Sequence, residues 1–270
     1  MPELPEVESV RRRLAPVMVD ARFVDVIVRR PDLRAPFPRK FSARLTGQTV
    51  IALSRRAKYL VAALSSSETL LMHLGMSGSF RVDTDGVSSL RHDHVVFHMS
   101  SGAVVTFNDP RRFGFMDLVP AHGLSNHPVL RALGPEPLSR AFDGFALARA
   151  CRGRKTSLKA ALLDQHVVAG LGNIYVSEAL HLARLLPQRP ASTIATASGL
   201  PRNSAHRLAA AITQVLTEAI DRVSAKVYRS SRFRVYDREG ERCRRARCGG
   251  TIRRRTQAGR STFFCPVCQR

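Results

Sequence analysis

The sequence predicts an α+β protein, because strand-like and helix-like segments occupy separate parts of the chain. From residue 21 to about 118, stretches rich in valine and threonine are separated by short Gly/Ser turns, a pattern typical of strands. From 142 to about 223 the apolar residues recur at helical spacing, and the last 35 residues return to short strands around four cysteines. Strands and helices segregated in this way indicate the α+β fold class.

The length and charge of the chain limit its possible partners. Its 270 residues accommodate two domains, and a hydrophobic content of 44% is ample for packed cores. Lysine and arginine number 43 against 21 acidic residues, which gives a net charge of +22. So basic a balance predicts a polyanionic partner. A basic surface that serves only solubility is the alternative.

No segment has the character of a secretory signal or a membrane anchor. The first 20 residues are charged and lack an apolar core segment. No apolar run approaches the ~20 residues that span a bilayer. We therefore expect a cytoplasmic protein, in which disulfides are disfavoured.

The N-terminal segment MPELPEVESVRRRL predicts a short helix over residues 3–14, with glutamates early and arginines late, as the helix dipole prefers. Removal of Met1 ahead of the small residue Pro2 leaves a free secondary amine. That amine is either an accident of the terminus or a nucleophile.

Further signals divide the rest of the chain. The SSG at 100–102 predicts a hairpin turn, and residues 122–139, dense in Pro, Gly and Ser, predict an interdomain linker. An apolar stripe predicts a long helix in the second half, formed by Leu208, Ile212, Val215, Ala219 and Val223.

Four C-terminal cysteines have the spacing of a zinc site. The first pair encloses four residues, the second pair encloses two, and 16 residues lie between the pairs. Two short cysteine loops on adjacent hairpins supply the tetrahedral ligands that zinc needs. The predicted ligands are Cys243, Cys248, Cys265 and Cys268. Four unrelated thiols or two disulfides are the alternatives, and the remaining Cys151 is predicted to be a buried structural thiol.

The stretch KTSLKAALLDQHVVAGLGNIYVSEALHLARL, residues 155–185, predicts two helices around a glycine turn. Gly170 and Gly172 permit close approach of the backbone to a ligand. Asn173 is expected near the start of the second helix, where it could bind a phosphate. A plain structural turn is the alternative.

Three loop or strand segments carry further candidates for binding nucleic acid. In NDPRRFGF, Arg111 and Phe113 follow a turn, and an aromatic side chain beside arginines can wedge between bases. A surface loop with one anchoring phenylalanine is the alternative. HLGMSG offers the apolar Met76, and RRAKYL places Lys58 in a predicted strand, either as a solvated charge or as a phosphate contact.

Together these motifs resemble bacterial formamidopyrimidine-DNA glycosylase, of the formamidopyrimidine-DNA glycosylase/endonuclease VIII family. Six motifs occur in the family's order between residues 2 and 269: MPELPEVE, RRAKYL, HLGMSG, DPRRFG, GLGNIYVSE and GRSTFFCPVCQ. The opening ELPE favours this branch over endonuclease VIII.

The resemblance implies a catalytic β-sandwich domain over 2–121, the linker 122–139, a helical domain with a helix–two-turns–helix motif over 140–231, and a zinc ribbon over 232–270. It also implies a bifunctional DNA glycosylase and AP lyase of base excision repair. Such an enzyme flips an oxidised base out of duplex DNA, excises it, and nicks the strand by β,δ-elimination. The implied partners are duplex DNA with oxidised bases or abasic sites and one structural Zn²⁺, in a monomer that works on the bacterial nucleoid.

The matched positions take the family's roles. The implied catalytic residues are the nucleophile Pro2, the general acid Glu3, the supporting Glu6, and the phosphate-binding Lys58 and Arg260. The implied DNA-binding residues are His73, Met76, His94, Arg111, Phe113, Lys155, Asn173 and Tyr236.

The chemistry of Pro2 supports this role independently. An α-amino group has a pKa of about 7.7–8.0, against about 10.4 for lysine, and the positive end of a helix lowers the pKa further. A neutral secondary amine condenses with a ring-opened sugar to a cationic iminium, which acidifies the C2′ proton and lets the 3′ phosphate leave. Glu3 can act as general acid once burial favours its protonated form. A chain that keeps Met1 has an acylated Pro2 nitrogen and should be inactive.

Two features depart from the family. Four residues separate Cys243 from Cys248, where the family usually has two. The segment DRVSAKVYRSSRFRV, residues 221–235, is too short and too poor in glycine for the loop that covers 8-oxoguanine in the family. A broadened or endonuclease VIII-like lesion preference therefore stays open, as does a DNA-binding protein that has lost the chemistry.

Overall fold

The computed structural model describes residues 2–84, 89–224 and 233–270. The chain divides into two compact units after Arg131. The division falls inside the predicted linker, residues 122–139, of which 3-10 helix Ala121–Asn126 forms the first part. The two units are described separately.

The first unit begins with helix α1, Leu4–Met18, which is longer than the predicted helix over 3–14. The helix continues through Pro16 because Leu14 and Met18 are completely buried in the core. The expected placement of arginines at its C-terminal end is therefore wrong. Arg11 and Arg12 lie in its middle and pair with Glu8.

Eight strands and a short helix, α2 (Phe41–Leu45), complete this unit. The strands form two four-stranded antiparallel sheets, with strand orders β1-β6-β7-β5 and β2-β3-β4-β8. Their bounds are β1 Phe23–Val28, β2 Val50–Arg56, β3 Tyr59–Leu64, β4 Glu68–His73, β5 Ser79–Asp83, β6 Asp93–Met99, β7 Val104–Asn108 and β8 Phe115–Pro120.

A single hydrophobic core joins the two sheets, which confirms the β-sandwich. Phe23 and Phe97 from one sheet and Leu60 and Leu70 from the other belong to one buried cluster, and α1 adds its own apolar face. The turn between β6 and β7 lies at the predicted SSG, where Gly102 has a φ of 83°, a value that favours glycine.

The second unit is helical in its first part, as predicted. Its helices are α3 Gly144–Cys151, α4 Leu158–Leu163, α5 Asn173–Leu182 and α6 Asn203–Ser224, with 3-10 helix Ala191–Ile194 before α6. The predicted stripe of α6 is buried from Leu208 to Ala219. Among the described helices, none combines the length and the apolar character that a membrane span needs.

The second unit ends in a two-stranded antiparallel ribbon formed by β9, Arg253–Gln257, and β10, Arg260–Phe264. Ala258 and Gly259 connect the strands with φ values of 48° and 71°, the left-handed pair that a tight hairpin turn requires. The cysteines lie at the opposite end of this ribbon, where a small core forms around Val235, Ile252 and Phe263.

Candidate functional site

The predicted catalytic residues of the first unit begin at the N-terminal end of α1. Pro2 is half-buried immediately before the helix, and Glu3 is its N-cap residue with a relative exposure of 3%. Glu6 accepts the backbone N–H of Glu3 at 2.9 Å, and the Glu3 side chain caps the Glu6 N–H in return. This reciprocal capping fixes both carboxyl groups beside Pro2, where the positive end of the helix lies.

Lys58 lies in the two-residue turn between β2 and β3, and its predicted placement within a strand is wrong. Ala57 takes a φ of 52° to close this turn. The Lys58 side chain is nevertheless buried, with a relative exposure of 8%. A buried cation at this position has an electrostatic effect on its neighbour His73.

His73 ends β4 and stacks on Tyr59, with 4.8 Å between the ring centroids. Loss of solvation, together with the nearby charges of Lys58 and Arg34, lowers the pKa of His73 to about 4. Its Nδ1 accepts the N–H of Gly75 at 3.0 Å. The neutral ring therefore carries its proton on Nε2, which can donate to a phosphate oxygen.

Two loops bring the predicted base-reading residues Met76 and Phe113 together. Both side chains are 41% exposed. A Cβ at Gly75 would lie 2.3 Å from the carbonyl carbon and oxygen of Phe113, and Gly75 has a φ of 63°. Only glycine permits this approach of the two loops. Arg111 joins them, with its guanidinium carbon 4.9 Å from the centroid of the Phe113 ring.

The buried carboxylate of Asp109 ties these two loops to each other. It accepts the Ser77 hydroxyl at 2.6 Å and the Gly114 N–H at 2.7 Å. His94, predicted to bind DNA, is buried in β6 and its Nε2 bonds the Asp109 carbonyl at 2.8 Å. His94 thus supports the loop that carries Arg111 through this hydrogen bond and is not itself exposed. Asp109 was not among the predicted site residues, although the Asp-Pro pair signals the turn at which it lies.

In the second unit, the glycine turn forms between α4 and α5 as predicted. Gly170 has a φ of 86° and donates its N–H to the side chain of Gln165 at 2.9 Å. Gln165 also donates to the carbonyl of Leu171 at 2.9 Å. Asn173 is the first residue of α5, and Lys155 is exposed before α4.

Asn173 and the ribbon meet at Ser261, next to Arg260. The Asn173 amide donates to the Ser261 carbonyl at 3.0 Å. Lys159, only 1% exposed, donates to the same carbonyl at 2.8 Å and to the Thr262 hydroxyl at 2.7 Å. The structure thus places Asn173 against Ser261, the residue that follows the exposed Arg260. Lys159 was not predicted, because in the sequence it looks like an ordinary helical lysine.

Glu178 on α5 holds the chain that leads into the ribbon. Its buried carboxylate accepts the backbone N–H groups of Arg234, Val235 and Tyr236 at 2.7 to 3.0 Å. The Tyr236 ring packs edge-on against Phe263 of β10. The YVSE motif contained this residue, but its partners lie more than 50 positions away.

The four predicted ligand cysteines form one cluster. All four sulfur atoms lie within 4.8 Å of one another, with 3.9 Å between Cys243 and Cys268 and 3.5 Å between Cys248 and Cys265. Zn–S bonds of about 2.3 Å in a tetrahedron place sulfurs roughly 3.8 Å apart, so the cluster fits one zinc ion.

The cysteines of this cluster are free of disulfides, and so is Cys151. Cys151 is completely buried, and burial raises the pKa of its thiol to about 11. This matches the predicted inert structural thiol.

His181, at the end of α5, lies against the metal cluster. Its Nε2 is 3.2 Å from the sulfur of Cys243, and its buried Nδ1 has no hydrogen-bond partner among the described residues. Burial, reinforced by Arg245, Arg234 and Arg238, lowers its pKa to about 4. The neutral ring therefore donates from Nε2 to the thiolate, as outer-shell groups of zinc sites do.

One predicted feature cannot be compared with the structure. Helix α6, described over Asn203–Ser224, takes up the start of segment 221–235. Residues 225–232, which carry the prediction about the lesion-covering loop, lie outside the described residues.

Three family models match the chain in the order of these structural parts. Residues 1–116 match the formamidopyrimidine-DNA glycosylase N-terminal domain, and residues 133–230 match the formamidopyrimidine-DNA glycosylase H2TH domain. Residues 240–270 match the zinc finger found in FPG and IleRS, which covers the cysteine cluster.

Known proteins are similar over the whole chain. Formamidopyrimidine-DNA glycosylase of Bradyrhizobium diazoefficiens is 55% identical over 293 residues, covering 100% of both chains. The Lactococcus lactis enzyme bound to DNA with an abasic site is 34% identical, with a TM-score of 0.88 and full coverage of both chains. Its complex with DNA containing an oxidised pyrimidine gives 33% identity and the same TM-score and coverage. Since both its family models and its full-length relatives agree, the chain belongs to the formamidopyrimidine-DNA glycosylase family.

Proposed function

We propose that this protein excises oxidised bases from duplex DNA and then nicks the strand, as a bifunctional glycosylase and AP lyase of base excision repair. The observation that carries the proposal is the N-terminal arrangement, in which Pro2 directly precedes the capped helix α1 and the buried Glu3. A net charge of +22 provides the attraction to DNA. Such a repair enzyme acts in the bacterial cytoplasm, on the nucleoid.

In the proposed reaction, Pro2 is the nucleophile. With Met1 removed, its secondary amine attacks C1′ of the damaged nucleotide, and Glu3 protonates the sugar ring oxygen. The bond to the base breaks and a cationic iminium forms between Pro2 and the opened sugar. The iminium withdraws electrons from C2′, so a proton leaves from there and the 3′ phosphate departs by β-elimination. A second elimination releases the 5′ phosphate, and hydrolysis frees Pro2.

The remaining predicted residues are assigned to binding. Lys58 and the neutral donor His73 would contact backbone phosphates near the reacting sugar, and Asn173 and Arg260 would do the same from the second unit. Met76, Phe113 and Arg111 would fill the space of the flipped base and contact the orphan base. His94 would act indirectly, through the loop that it supports. Lys155 and Tyr236 would lie along the bound strand.

The cysteine cluster would hold one structural zinc ion. When bound, the metal supplies the cross-link that keeps the short ribbon folded. The position of Arg260 on the ribbon depends on side chains of the protein. Lys159 and Asn173 hydrogen-bond to Ser261, which follows Arg260, and so fix the start of the strand that carries it.

Strand cleavage of a duplex with one formamidopyrimidine tests the proposal. The β,δ-elimination route predicts a one-nucleotide gap with phosphate at both ends, visible on a denaturing gel beside marker strands. A Pro2→Gly variant keeps an α-amine but replaces the secondary amine of the proline ring by a flexible primary amine. Its cleavage rate should be lower by at least tenfold. Tight, damage-specific binding without any cleavage would support the alternative of a binding protein that has lost the chemistry.

We further propose that the lesion range is broad. The segment between Ile220 and Tyr236 has only 15 residues and contains no glycine. With little chain to cover the base, fewer donors read it, and such a site discriminates weakly between related bases. Formamidopyrimidines, hydantoins or oxidised pyrimidines should be excised at rates equal to or higher than that of 8-oxoguanine. Single-turnover excision of each lesion opposite cytosine measures this, and a tenfold preference for 8-oxoguanine, about 1.4 kcal/mol, would contradict it.

A further inference from the structure

A basic pocket of about 420 Å³ lies beside the zinc cluster, within the second unit. Four of its eight lining residues are arginines, and none of the lining side chains is acidic. Those arginines, here called the knuckle arginines, are Arg184, Arg245, Arg247 and Arg270. Two of them belong to the four-residue loop between Cys243 and Cys248, the part of the chain that is longer than the family pattern.

The knuckle arginines have no acidic partner in the described part of the chain, where no ion pair involves any of them. Other arginines of the same unit are neutralised. Arg234 pairs with Glu218, Arg238 with Glu241, and Arg154 with Asp164. Four cations that share a concave surface repel each other, so the pocket favours an anion that bridges them.

Two of the knuckle arginines have a left-handed backbone conformation. Arg184 and Arg247 have φ values of 60° and 59°, in the left-handed region where glycine is preferred. Arg184 follows the end of α5, a position commonly occupied by glycine. Non-glycine residues in this region cost of order 1–3 kcal/mol and cluster at functional sites.

The other two knuckle arginines are fixed by hydrogen bonds. The Nη2 of Arg245 donates to the carbonyls of His181 and Leu182 at 2.7 and 3.2 Å, at the negative end of α5. Its buried Nε has no hydrogen-bond partner among the described residues. The backbone N–H of Arg270 donates to the carbonyl of Arg184 at 3.2 Å. The Arg245 side chain and the Arg270 backbone are therefore held in place at this pocket.

A second explanation for this charge is the metal site itself. Four thiolates around Zn²⁺ carry a formal charge of about −2, and Cys248 and Cys268 line the pocket. Nearby guanidinium groups would offset that charge. Four guanidinium groups carry more positive charge than is needed to balance the net charge of about −2 on the metal site. His181 already donates a hydrogen bond to the cluster.

We propose that the knuckle arginines bind a backbone phosphate of DNA at a site separate from Arg260. The inference rests on the proposed function, since it assigns a further contact to the same substrate. Arg260 begins β10 and Cys265 follows its end, so the two sites are roughly 17 Å apart along the strand. The pocket would thus extend the DNA contact along the ribbon, beyond Arg260.

The test uses the full-length, zinc-loaded protein and an undamaged 30-base-pair duplex. Arg184→Gln and Arg247→Gln, singly and together, remove exposed charges without touching the bonds of Arg245. Arg149→Gln on α3 removes one exposed charge elsewhere in the unit and serves as the control. Affinity is measured from 50 to 200 mM salt, with zinc content and single-turnover cleavage of a damaged duplex measured in parallel.

If the pocket binds a DNA phosphate, the double variant should show a slope of log K against log salt that is shallower by about 0.9. Arg149→Gln should leave the slope unchanged, and zinc content and the cleavage rate at saturating enzyme should stay within twofold. A lower zinc content at unchanged slope would overturn the proposal in favour of charge balance at the thiolates. An unchanged slope with zinc retained would overturn it as well.

A parallel arm distinguishes DNA from small anions. Inorganic phosphate is titrated at constant ionic strength while the arginine Nε resonances are followed by NMR. Shifts of Arg184 and Arg247 without any change in the DNA slope would identify a site for free phosphate and contradict a DNA contact. If the wild type failed to cleave damaged DNA, the proposed function would fail, while the slope on undamaged duplex would still report on the pocket.

Discussion

The two units hold their predicted DNA-binding residues in different ways. In the first unit, Met76 and Phe113 lie on two loops whose backbones are in close contact. In the second unit, buried polar side chains and a cysteine cluster fix Asn173 and Arg260. The first arrangement depends on the missing Cβ of Gly75 and on the carboxylate of Asp109, above a large apolar sandwich. The second depends on Lys159, Glu178 and four thiols around a very small core.

The difference follows from the size of each core. Two packed sheets bury enough apolar surface to form a stable base for the loops at their edge, and one buried carboxylate, Asp109, then ties those loops together. A two-stranded ribbon is marginal alone, so metal and buried hydrogen bonds take the place of a core. The two halves of the proposed DNA site should therefore fail in different ways.

Loss of the metal should produce the largest effect, confined to the second unit. Cys265→Ser should lose zinc and DNA affinity together, because apparent binding energies of structural zinc reach about 10 kcal/mol or more and Arg260 then loses its support. Cys151→Ala, which removes a buried thiol outside the cluster, should keep its zinc. Metal content by mass spectrometry and duplex binding measure both. A full complement of zinc in Cys265→Ser would refute the assigned ligands.

In the first unit, the corresponding disruption is a steric clash introduced by Gly75→Ala. Gly75→Ala places a Cβ 2.3 Å from the Phe113 backbone at a φ of 63°, which combines left-handed strain with overpacking, about 1–3 kcal/mol each. Gly102→Ala, at a φ of 83° with nothing within 4 Å, isolates the strain alone. We expect Gly75→Ala to lower the free energy of unfolding more than Gly102→Ala and to weaken discrimination of the orphan base. Equal effects of the two variants would show that the loops are not in close contact.

Two arginine variants separate phosphate binding in the second unit from recognition of the orphan base in the first unit. Arg260→Ala should make the salt slope shallower by about 0.9 on any sequence, as expected for one phosphate contact. Arg111→Ala, which removes the guanidinium stacked on Phe113, should instead reduce selectivity for the base opposite the lesion by about 1–3 kcal/mol. Changes confined to the salt slope in both variants would contradict this division of roles.

At neutral pH the smallest expected effect is that of His73, because its contribution to stability changes only in acid. Its pKa of about 4 in the folded chain lies below the ordinary value of 6.5, so the unfolded chain binds the extra proton between these pH values. Stability from this group is therefore complete above pH 6.5 and is lost as pH falls toward 4. His73→Gln, which keeps an acceptor for the Gly75 N–H, should flatten the fall in unfolding free energy over that window by up to about 3 kcal/mol. Parallel curves for variant and wild type would show that the ring is protonated normally.

Residues whose chemistry is local could be predicted from the sequence. The cysteine cluster, the glycine turn before Asn173, the hairpin turn at 100–102 and the stripe of α6 all follow from residue type and short spacing. The exposed positions of Met76, Phe113 and Arg260 agree with their predicted binding roles. Their contact with DNA stays a prediction.

The supporting residues could not be predicted, because their partners are distant in the sequence. Glu178 bonds residues 56 to 58 positions away, and His181 reaches Cys243 across 62 positions. No periodicity links such positions. The error at Lys58 has a different origin, since the motif RRAKYL reads as continuous strand and its turn depends on a left-handed Ala57 that residue type does not favour.

The central claim is that Pro2 carries the covalent intermediate, and borohydride trapping tests it most directly. Reduction of the iminium on an oxidised duplex should yield a stable protein–DNA adduct, and its tryptic map should place the DNA on residue 2. A chain engineered to retain Met1, whose Pro2 nitrogen is an amide, should give no adduct while still binding DNA. Undiminished trapping in that form, or DNA mapped to Lys58 or another lysine, would contradict the account.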